Sequence, residues 1–394
     1  MKEPIRKITL ADGTVRYRLV VDIGKDDSGK RRQLTRTFDR QKDARAELSR
    51  IRHQQAAGTY VQPSKMTLNQ YLDEYLIGAT RDRRESTKSN YCHALKPVRD
   101  RLGERPLQSI TKADVEQLVD WMLKSGRKRS GKPGTGLGAR SVRLTLGRLK
   151  AALEMAVDEG KLVRNVARLV KPPEYIAAER DTWSQAEVRT FLRAAARDRL
   201  HAAWRLSLYG LRRGEVLGLR WSDVDLKGGT LTVRQGRVLV DCKVRVEPPK
   251  SRNGQRTLPL DAALVKALTE LRKRMVEESQ AAGTAYEAGL ADLDWYRPGD
   301  QYVITDELGV PVHPEWYSDE FARLLKRAGL RKIRLHDSRH TTLSLMEKAG
   351  VPISIISKWA GHYDAAFTMR TYVHASDDDL KAGTRTLARL HKIA

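Results

Sequence analysis

The sequence predicts a mainly α chain with small β-sheets, of the α+β class and built from several domains. Three observations lead there. Apolar residues recur at helical spacing over most of the chain, while β-rich alternation is confined to short stretches. Proline-containing junctions, Val61-Gln62-Pro63-Ser64 and Lys171-Pro172-Pro173, divide the 394 residues into three segments. Hydrophobic residues make up 40% of the composition, enough to pack cores and to exclude wholesale disorder.

Residues 1–62 read as a small ββ(β)α domain. Val15 to Val21 is β-rich and partly alternating, and Asp26-Asp27-Ser28-Gly29 is a turn signal. Arg31 to Phe38 alternates basic and β-branched residues, and a helical run follows from Gln41 to about Ala57. A small sheet studded with arginine suits a major groove, and a plain ββα unit fits the same residues.

Residues 63–172 read as a bundle of four helices. Leu68, Tyr71, Leu72, Tyr75 and Leu76 repeat at helical spacing. Ser86 or Thr87 is placed to cap a helix running toward Leu102, and Thr111-Lys112-Ala113-Asp114 resembles a capping box. Val142, Leu146, Leu149, Leu153 and Val157 line one face of a fourth helix, Ser141 to Val157. The Gly-rich stretch from Ser125 to Gly138 invites a phosphate-loop reading, which fails. Pro133 follows Gly131-Lys132 where Ser or Thr is needed, and no strand precedes it. A basic loop touching backbone phosphates fits better.

Residues 173–394 read as a mostly helical domain with a small antiparallel sheet. Ser184-Gln185-Ala186-Glu187 is a capping box. Strands are expected at Thr230–Arg234, Val238–Val246 and Arg256–Leu260, with helices dominant after Asp261.

Charge narrows the partner. Lys and Arg total 74 against 49 Asp and Glu, a net of +25. Residues 1–60, 61–180 and 181–394 carry +7, +10 and +8, so no single basic tail accounts for the excess. Several contact surfaces along one polyanion explain that spread, with nucleic acid first and an anionic membrane second. A generally basic protein with solvated arginine faces is the bland alternative. Cys92 and Cys242 are too few for a disulfide framework or a four-cysteine zinc site, and buried positions in a reducing compartment are expected for both. The first ten residues lack the apolar core of a signal peptide, and no apolar run nears the ~20 residues of a membrane span. A soluble cytoplasmic protein is expected.

Four islands in the last segment concentrate cations. They are Tyr209-Gly210-Leu211-Arg212-Arg213-Gly214-Glu215, Pro249-Lys250-Ser251-Arg252, Leu335-His336-Asp337-Ser338-Arg339-His340, and Trp359-Ala360-Gly361-His362 with Tyr372 ten residues on. Each alone is weak. Arg212 with Glu215 fits an ordinary i,i+3 pair. His336 and His340 have metal-ligand spacing, but Arg339 between them carries a permanent charge and no carboxylate cluster accompanies them. Tyr372 by itself would be a core residue by default.

Taken in order, Arg…Lys…His-x-x-Arg…His…Tyr resembles the catalytic signature of the tyrosine recombinase (phage integrase) family, here in an arm-bearing form. Leu211-Arg212-Arg213-Gly214-Glu215, Leu335-His336-Asp337-x-Arg339-His340 and Gly361-His362 with Tyr372 carry the likeness nearly letter for letter. Ser338 and Ala360 depart from the family's usual residues, which bears on local packing and not on a charged position. The resemblance implies an arm-type DNA-binding domain over 1–62, a helical core-binding (SAM-like) domain over 63–172 and a catalytic domain over 173–394.

It also implies roles. Arg212 and Arg339 grip the scissile phosphate, and His336 and His362 add hydrogen bonds. His336 helps take the proton of Tyr372, the nucleophile, and Lys250 protonates the departing 5′-oxygen. Glu215 orients the site. Fixed cations suit this chemistry because they offset charge on the phosphorane. No cofactor or metal is implied. The implied partners are double-stranded DNA attachment sites, a homotetramer of the chain on DNA, and bending and directionality proteins; the implied place is the nucleoid of a bacterial host. A non-catalytic DNA-binding regulator and a type IB-like topoisomerase are the alternatives. Tyr209, Tyr317 and Tyr363 compete with Tyr372 but lack its spacing from Gly361-His362.

Overall fold

The computed structural model describes residues 3–25, 31–127, 133–176, 181–290, 293, 296, 301–362 and 369. The chain forms two compact units, residues 1–177 and 178–394.

In the first unit, β1 (Ile5–Thr9), β2 (Val15–Lys25) and β3 (Arg31–Phe38) form an antiparallel sheet in the order β1-β2-β3. β1 adds a strand to those named from the sequence. Alternation decides the faces. Leu19 and Val21 are buried with Ile51 of helix α1 (Gln41–Ala56), and Ile5, Leu34, Phe38 and Leu48 pack against them. Arg6 and Arg18, paired across the strands, stay exposed, as does Arg16.

Four helices follow: α2 (Leu68–Thr80), α3 (Glu85–Leu102), α4 (Lys112–Ser125) and α5 (Ala139–Asp158). Thr67 and Thr111 close capping boxes with Gln70 and Asp114. α3 starts one residue before Ser86, its cap position is Arg84, and neither Ser86 nor Thr87 caps it. The expected stripes meet in one core containing Leu68, Leu72, Leu95, Leu118, Leu146 and Leu153. Part of the Gly-rich stretch has a packing reason. A Cβ on Gly136 would overlap the Leu123 carbonyl oxygen, while the next residue, Leu137, donates its N–H to the Met122 carbonyl at 2.7 Å. The centre of the expected phosphate-contacting loop, residues 128–132, lies outside the described residues.

The second unit begins with α6 (Gln185–Ala194), capped by Ser184 and Glu187, then α7 (His201–Leu208) and α8 (Arg213–Leu217). β4 (Val224–Asp225), β5 (Thr230–Val233) and β8 (Arg256–Pro259) form one antiparallel sheet, and β6 (Gly236–Val240) and β7 (Lys243–Glu247) form a separate hairpin. The single strand expected over Val238–Val246 is therefore two. The chain reverses at Asp241-Cys242, whose φ angles are 49° and 64°. A two-residue turn needs such angles, but it usually advertises them with glycine, and none is present. Cys242 is exposed in this turn and Cys92 is exposed on α3, so the expected burial of both cysteines is wrong.

Helices α9 (Ala262–Ala282), α10 (Pro314–Arg327), α11 (Leu335–Lys348) and α12 (Ile353–Ala360) follow. The core holds Trp183, Phe191, Trp204, Tyr317 and Phe321, with Trp204 stacked on Tyr317 at 4.4 Å. Among the described residues, no helix is long and apolar enough to cross a membrane.

Candidate active site

The site is assembled around the α7–α8 junction. α7 ends at Leu208, and Gly210, with φ of 92°, turns the chain so that Leu211 is buried and Arg212 stands at the N-cap of α8. Glu215, one turn on, accepts the Arg212 backbone N–H at 2.9 Å and Arg212 Nη1 at 2.6 Å. Arg212 Nη2 donates to the Gly361 carbonyl at 3.3 Å. Arg213 points elsewhere: its Nη1 donates to Ser318 Oγ at 2.9 Å and the Pro314 carbonyl at 3.3 Å, tying α8 to α10. Of two adjacent arginines, one reaches the Gly361 segment and the other α10.

Arg339 lies in α11 and is 2% exposed. Its Nη1 donates to the Gly210 carbonyl at 2.5 Å and its Nη2 to the Ala360 carbonyl. Main-chain carbonyls of two distant segments thus aim Arg339 without neutralising it, and the Gly361 carbonyl of one of them also holds Arg212, whose other partner is the Glu215 carboxylate. Ser338 and Ala360, the two departures from the family pattern, are buried, and Ser338 Oγ donates to the Leu335 carbonyl at 2.6 Å. Trp359 Nε1 donates to the Tyr209 carbonyl at 2.8 Å and its ring meets Tyr209 at 5.1 Å, docking the end of α12 on the α7–α8 junction.

His336 occupies the first turn of α11 and remains accessible. Desolvation of the ring and the cations Arg339 and Arg212 push it below the ordinary histidine value, which favours the neutral ring. Its ring meets the buried His340 edge-on at 4.9 Å. Gly361, with φ of 60°, ends α12 in the left-handed conformation and presents His362. His362 is half-buried, its N–H bonds the Ser357 carbonyl at 3.1 Å, and its own carbonyl accepts Asn253 Nδ2 at 3.2 Å.

Lys250 is exposed on the connection between β7 and β8. Those strands belong to different sheets, so it sits on a linking segment and not in a hairpin turn. Asn253 of the same segment is the residue that reaches His362. Tyr372 and Tyr363 lie outside the described residues. Two rival tyrosines have structural partners: Tyr317 is fully buried and donates to the Ala203 carbonyl at 3.0 Å, and Tyr209 donates to the Pro259 carbonyl at 2.9 Å. Among the described residues, no group of His, Cys, Asp and Glu is placed to hold a metal ion.

One residue of the site was not expected. Arg256 on β8 is buried and gives Nη2 and Nη1 to the two carboxylate oxygens of Glu215 at 2.9 and 3.2 Å. Its neighbours alternate buried and exposed along the strand, which puts Arg256 on the inner face opposite Val233. An arginine at a core-facing strand position demands a buried carboxylate, but the register that makes the position core-facing is not written in the strand itself. Burial pushes the Glu215 carboxyl up, but Arg256, Arg212 and Arg339 outweigh it and hold it at about 2. Three guanidiniums around one carboxylate leave positive charge over, as a phosphate site requires.

Known proteins resemble this chain in sequence and in fold. A tyrosine recombinase XerC-like protein of Caldanaerobacter subterraneus subsp. tengcongensis is 27% identical over 388 residues, spanning 92% of this chain and 93% of its own length. An integrase of Streptomyces ambofaciens is 27% identical over 368 residues, 91% of this chain and 89% of its own. The fold is that of the Tn1549 transposon integrase solved with circular intermediate DNA, with a TM-score of 0.65 at 21% identity over 82% of this chain and 100% of that one. It is also that of a lambda integrase tetramer bound to a Holliday junction, with a TM-score of 0.56 at 20% identity over 96% and 98%. Residues 184–379, which contain all seven of the residues singled out from the sequence, match the phage integrase family model, and the chain belongs to that family, the tyrosine recombinases.

Proposed function

We propose that this recombinase is a site-specific integrase that cuts and rejoins DNA through Tyr372, integrating or excising a mobile element. The observation that carries the proposal is the convergence of Arg212 and Arg339 on one segment, Arg339 donating to the Gly210 and Ala360 carbonyls and Arg212 to the Gly361 carbonyl and the Glu215 carboxylate. The two forks grip the non-bridging oxygens of the scissile phosphate. Tyr372 attacks phosphorus, its proton passes to neutral His336, and the bond to the 5′-oxygen breaks as Lys250 protonates that oxygen. His362 donates to a non-bridging oxygen. The 3′-phosphotyrosyl link keeps the phosphodiester's bond energy, so the 5′-hydroxyl of another strand religates without ATP.

The three segments divide the work in this proposal: 1–62 binds arm-type DNA, 63–172 holds the core site and 173–394 carries the chemistry. Arg6, Arg16 and Arg18, exposed opposite the buried Leu19 and Val21, support the first assignment. Lambda integrase is a tetramer on a Holliday junction, and the same assembly is proposed for this chain on paired attachment sites. Bending and directionality proteins belong to the proposal as accessory partners.

The test is a suicide duplex, nicked within a core selected from random sequence by binding to the full-length protein, incubated in EDTA. Wild type is expected to trap a covalent complex at the 3′ phosphate and Tyr372→Phe to trap none. A signal that EDTA abolishes, or a complex surviving in Tyr372→Phe, overturns the proposal.

A further inference from the structure

Arg256 is the side chain that the mechanism above leaves unused and that touches the most parts of the site. Besides the two bonds to Glu215, its Nε donates to the Trp359 carbonyl at 2.6 Å and its Nη1 to the Gly254 carbonyl at 3.0 Å. One guanidinium therefore meets the N-terminus of α8, the segment bearing Lys250 and the end of α12 just before His362.

Its charge matters as much as its reach. Glu215 is 7% exposed, and a carboxylate so placed would neutralise whichever cation it meets. Arg212 is that cation on one side, with its side chain 38% exposed. Arg256, with its side chain 5% exposed, binds the same carboxylate from the buried side through both oxygens. With Arg256 present, the three groups carry a net charge of +1 and the exposed member is Arg212. Without it, Arg212 and Glu215 cancel.

We infer that Arg256 is a positioning residue for strand cleavage: it neutralises Glu215 from behind and so leaves the charge of Arg212 for the phosphate. The inference rests on the recombinase proposal above. It differs from a purely structural tie in one respect. If neutralisation is the role, removing the charge of Glu215 must compensate for losing Arg256.

The experiment measures single-turnover cleavage of the suicide duplex, and affinity for the same duplex, for full-length wild type, Arg256→Met, Arg256→Lys, Glu215→Gln and the double variant Arg256→Met/Glu215→Gln. Arg256→Met is expected to slow cleavage roughly 100-fold, the scale of losing one charge-stabilising donor. Affinity is expected to stay within about threefold, because many other phosphate contacts set it. Adding Glu215→Gln is expected to recover about tenfold or more of the Arg256→Met loss, a sign opposite to additive damage. Arg256→Met cleaving like wild type, or a double variant no faster than Arg256→Met, overturns the inference. Should Arg256→Met fail to fold, Arg256→Lys decides. Cleavage within about tenfold of wild type supports charge neutralisation, and a larger loss with affinity intact overturns it. A wild type that traps no complex sinks the recombinase proposal itself, and the inference with it.

Discussion

Glu215 and Arg212 are joined twice, through the backbone N–H at 2.9 Å and through Nη1 at 2.6 Å. The same carboxylate thus starts helix α8 and orients the guanidinium at its tip. Such a group links stability to pH. Burial raises the carboxyl, and Arg256, Arg212 and Arg339 more than reverse it, to about 2 against an ordinary 4.5. A carboxyl lowered on folding stabilises fully above its ordinary value and loses that contribution as pH falls toward the folded one. Urea unfolding of wild type and Glu215→Gln is therefore expected to show a gap at pH 6 that narrows by on the order of 3 kcal/mol between pH 4.5 and 2. A gap that stays constant across that window would refute the linkage.

His336 gives cleavage its own pH signature. Ring desolvation, then Arg339 and Arg212, lower it from the ordinary 6.5, so the neutral base survives into mildly acidic solution. The rate of covalent-complex formation is expected to fall only below pH 6.5, and His336→Gln is expected to lose that acid limb along with most of the rate. An acid limb centred above 6.5, or one unchanged in His336→Gln, rules out His336 as the proton acceptor.

Lys250 is expected to matter for the leaving group alone. It is exposed and lies on a segment that Asn253 ties to His362. Lys250→Ala is expected to bind the duplex normally and to cleave roughly 100-fold more slowly. A bridging 5′-sulfur, whose thiolate leaves without a proton, is expected to erase that deficit. Equal slowing on the oxygen and sulfur substrates would move the general acid to another residue.

The candidate site is legible in the sequence through the order of its islands, because each residue taken alone has an ordinary use. Arg212, His336, Arg339 and His362 stand in short islands where a permanent cation or an imidazole recurs at fixed local spacing. Helices were legible where stripes and caps agreed, as at Thr111 with Asp114 and Ser184 with Glu187. Arg256 was not, because Arg256-Thr257-Leu258-Pro259 reads as a strand with one charged residue, and only the register opposite Val233 turns that residue inward. The hairpin at Asp241-Cys242 was hidden for a similar reason: its left-handed angles are held by residues that do not announce them. Long-range pairing decided the first, and an unmarked local turn between Val240 and Lys243 decided the second.

Gly361 offers the sharpest test of how tightly the site is packed, because the chain supplies its own control. Gly361 and Gly350 are both left-handed, with φ of 60° and 79°. A Cβ on Gly350 would meet nothing within 4 Å, whereas one on Gly361 would stand 2.7 Å from the Asn253 carbonyl oxygen and 3.0 Å from Arg256 Nη1. Gly350→Ala is therefore expected to cost only backbone strain, about 1 kcal/mol, and to leave cleavage unchanged. Gly361→Ala is expected to cost about 1–2 kcal/mol more, because a backbone oxygen yields less than a flexible side chain. It is also expected to slow cleavage, since the displaced groups are the Asn253 link to His362 and the Gly361 carbonyl that aims Arg212. Thermal melts and single-turnover cleavage of the two variants side by side check both expectations. Equal destabilisation, or wild-type cleavage by Gly361→Ala, would mean that the approach of Gly361 to the Asn253–Gly254 turn is not what holds the two halves of the site in place.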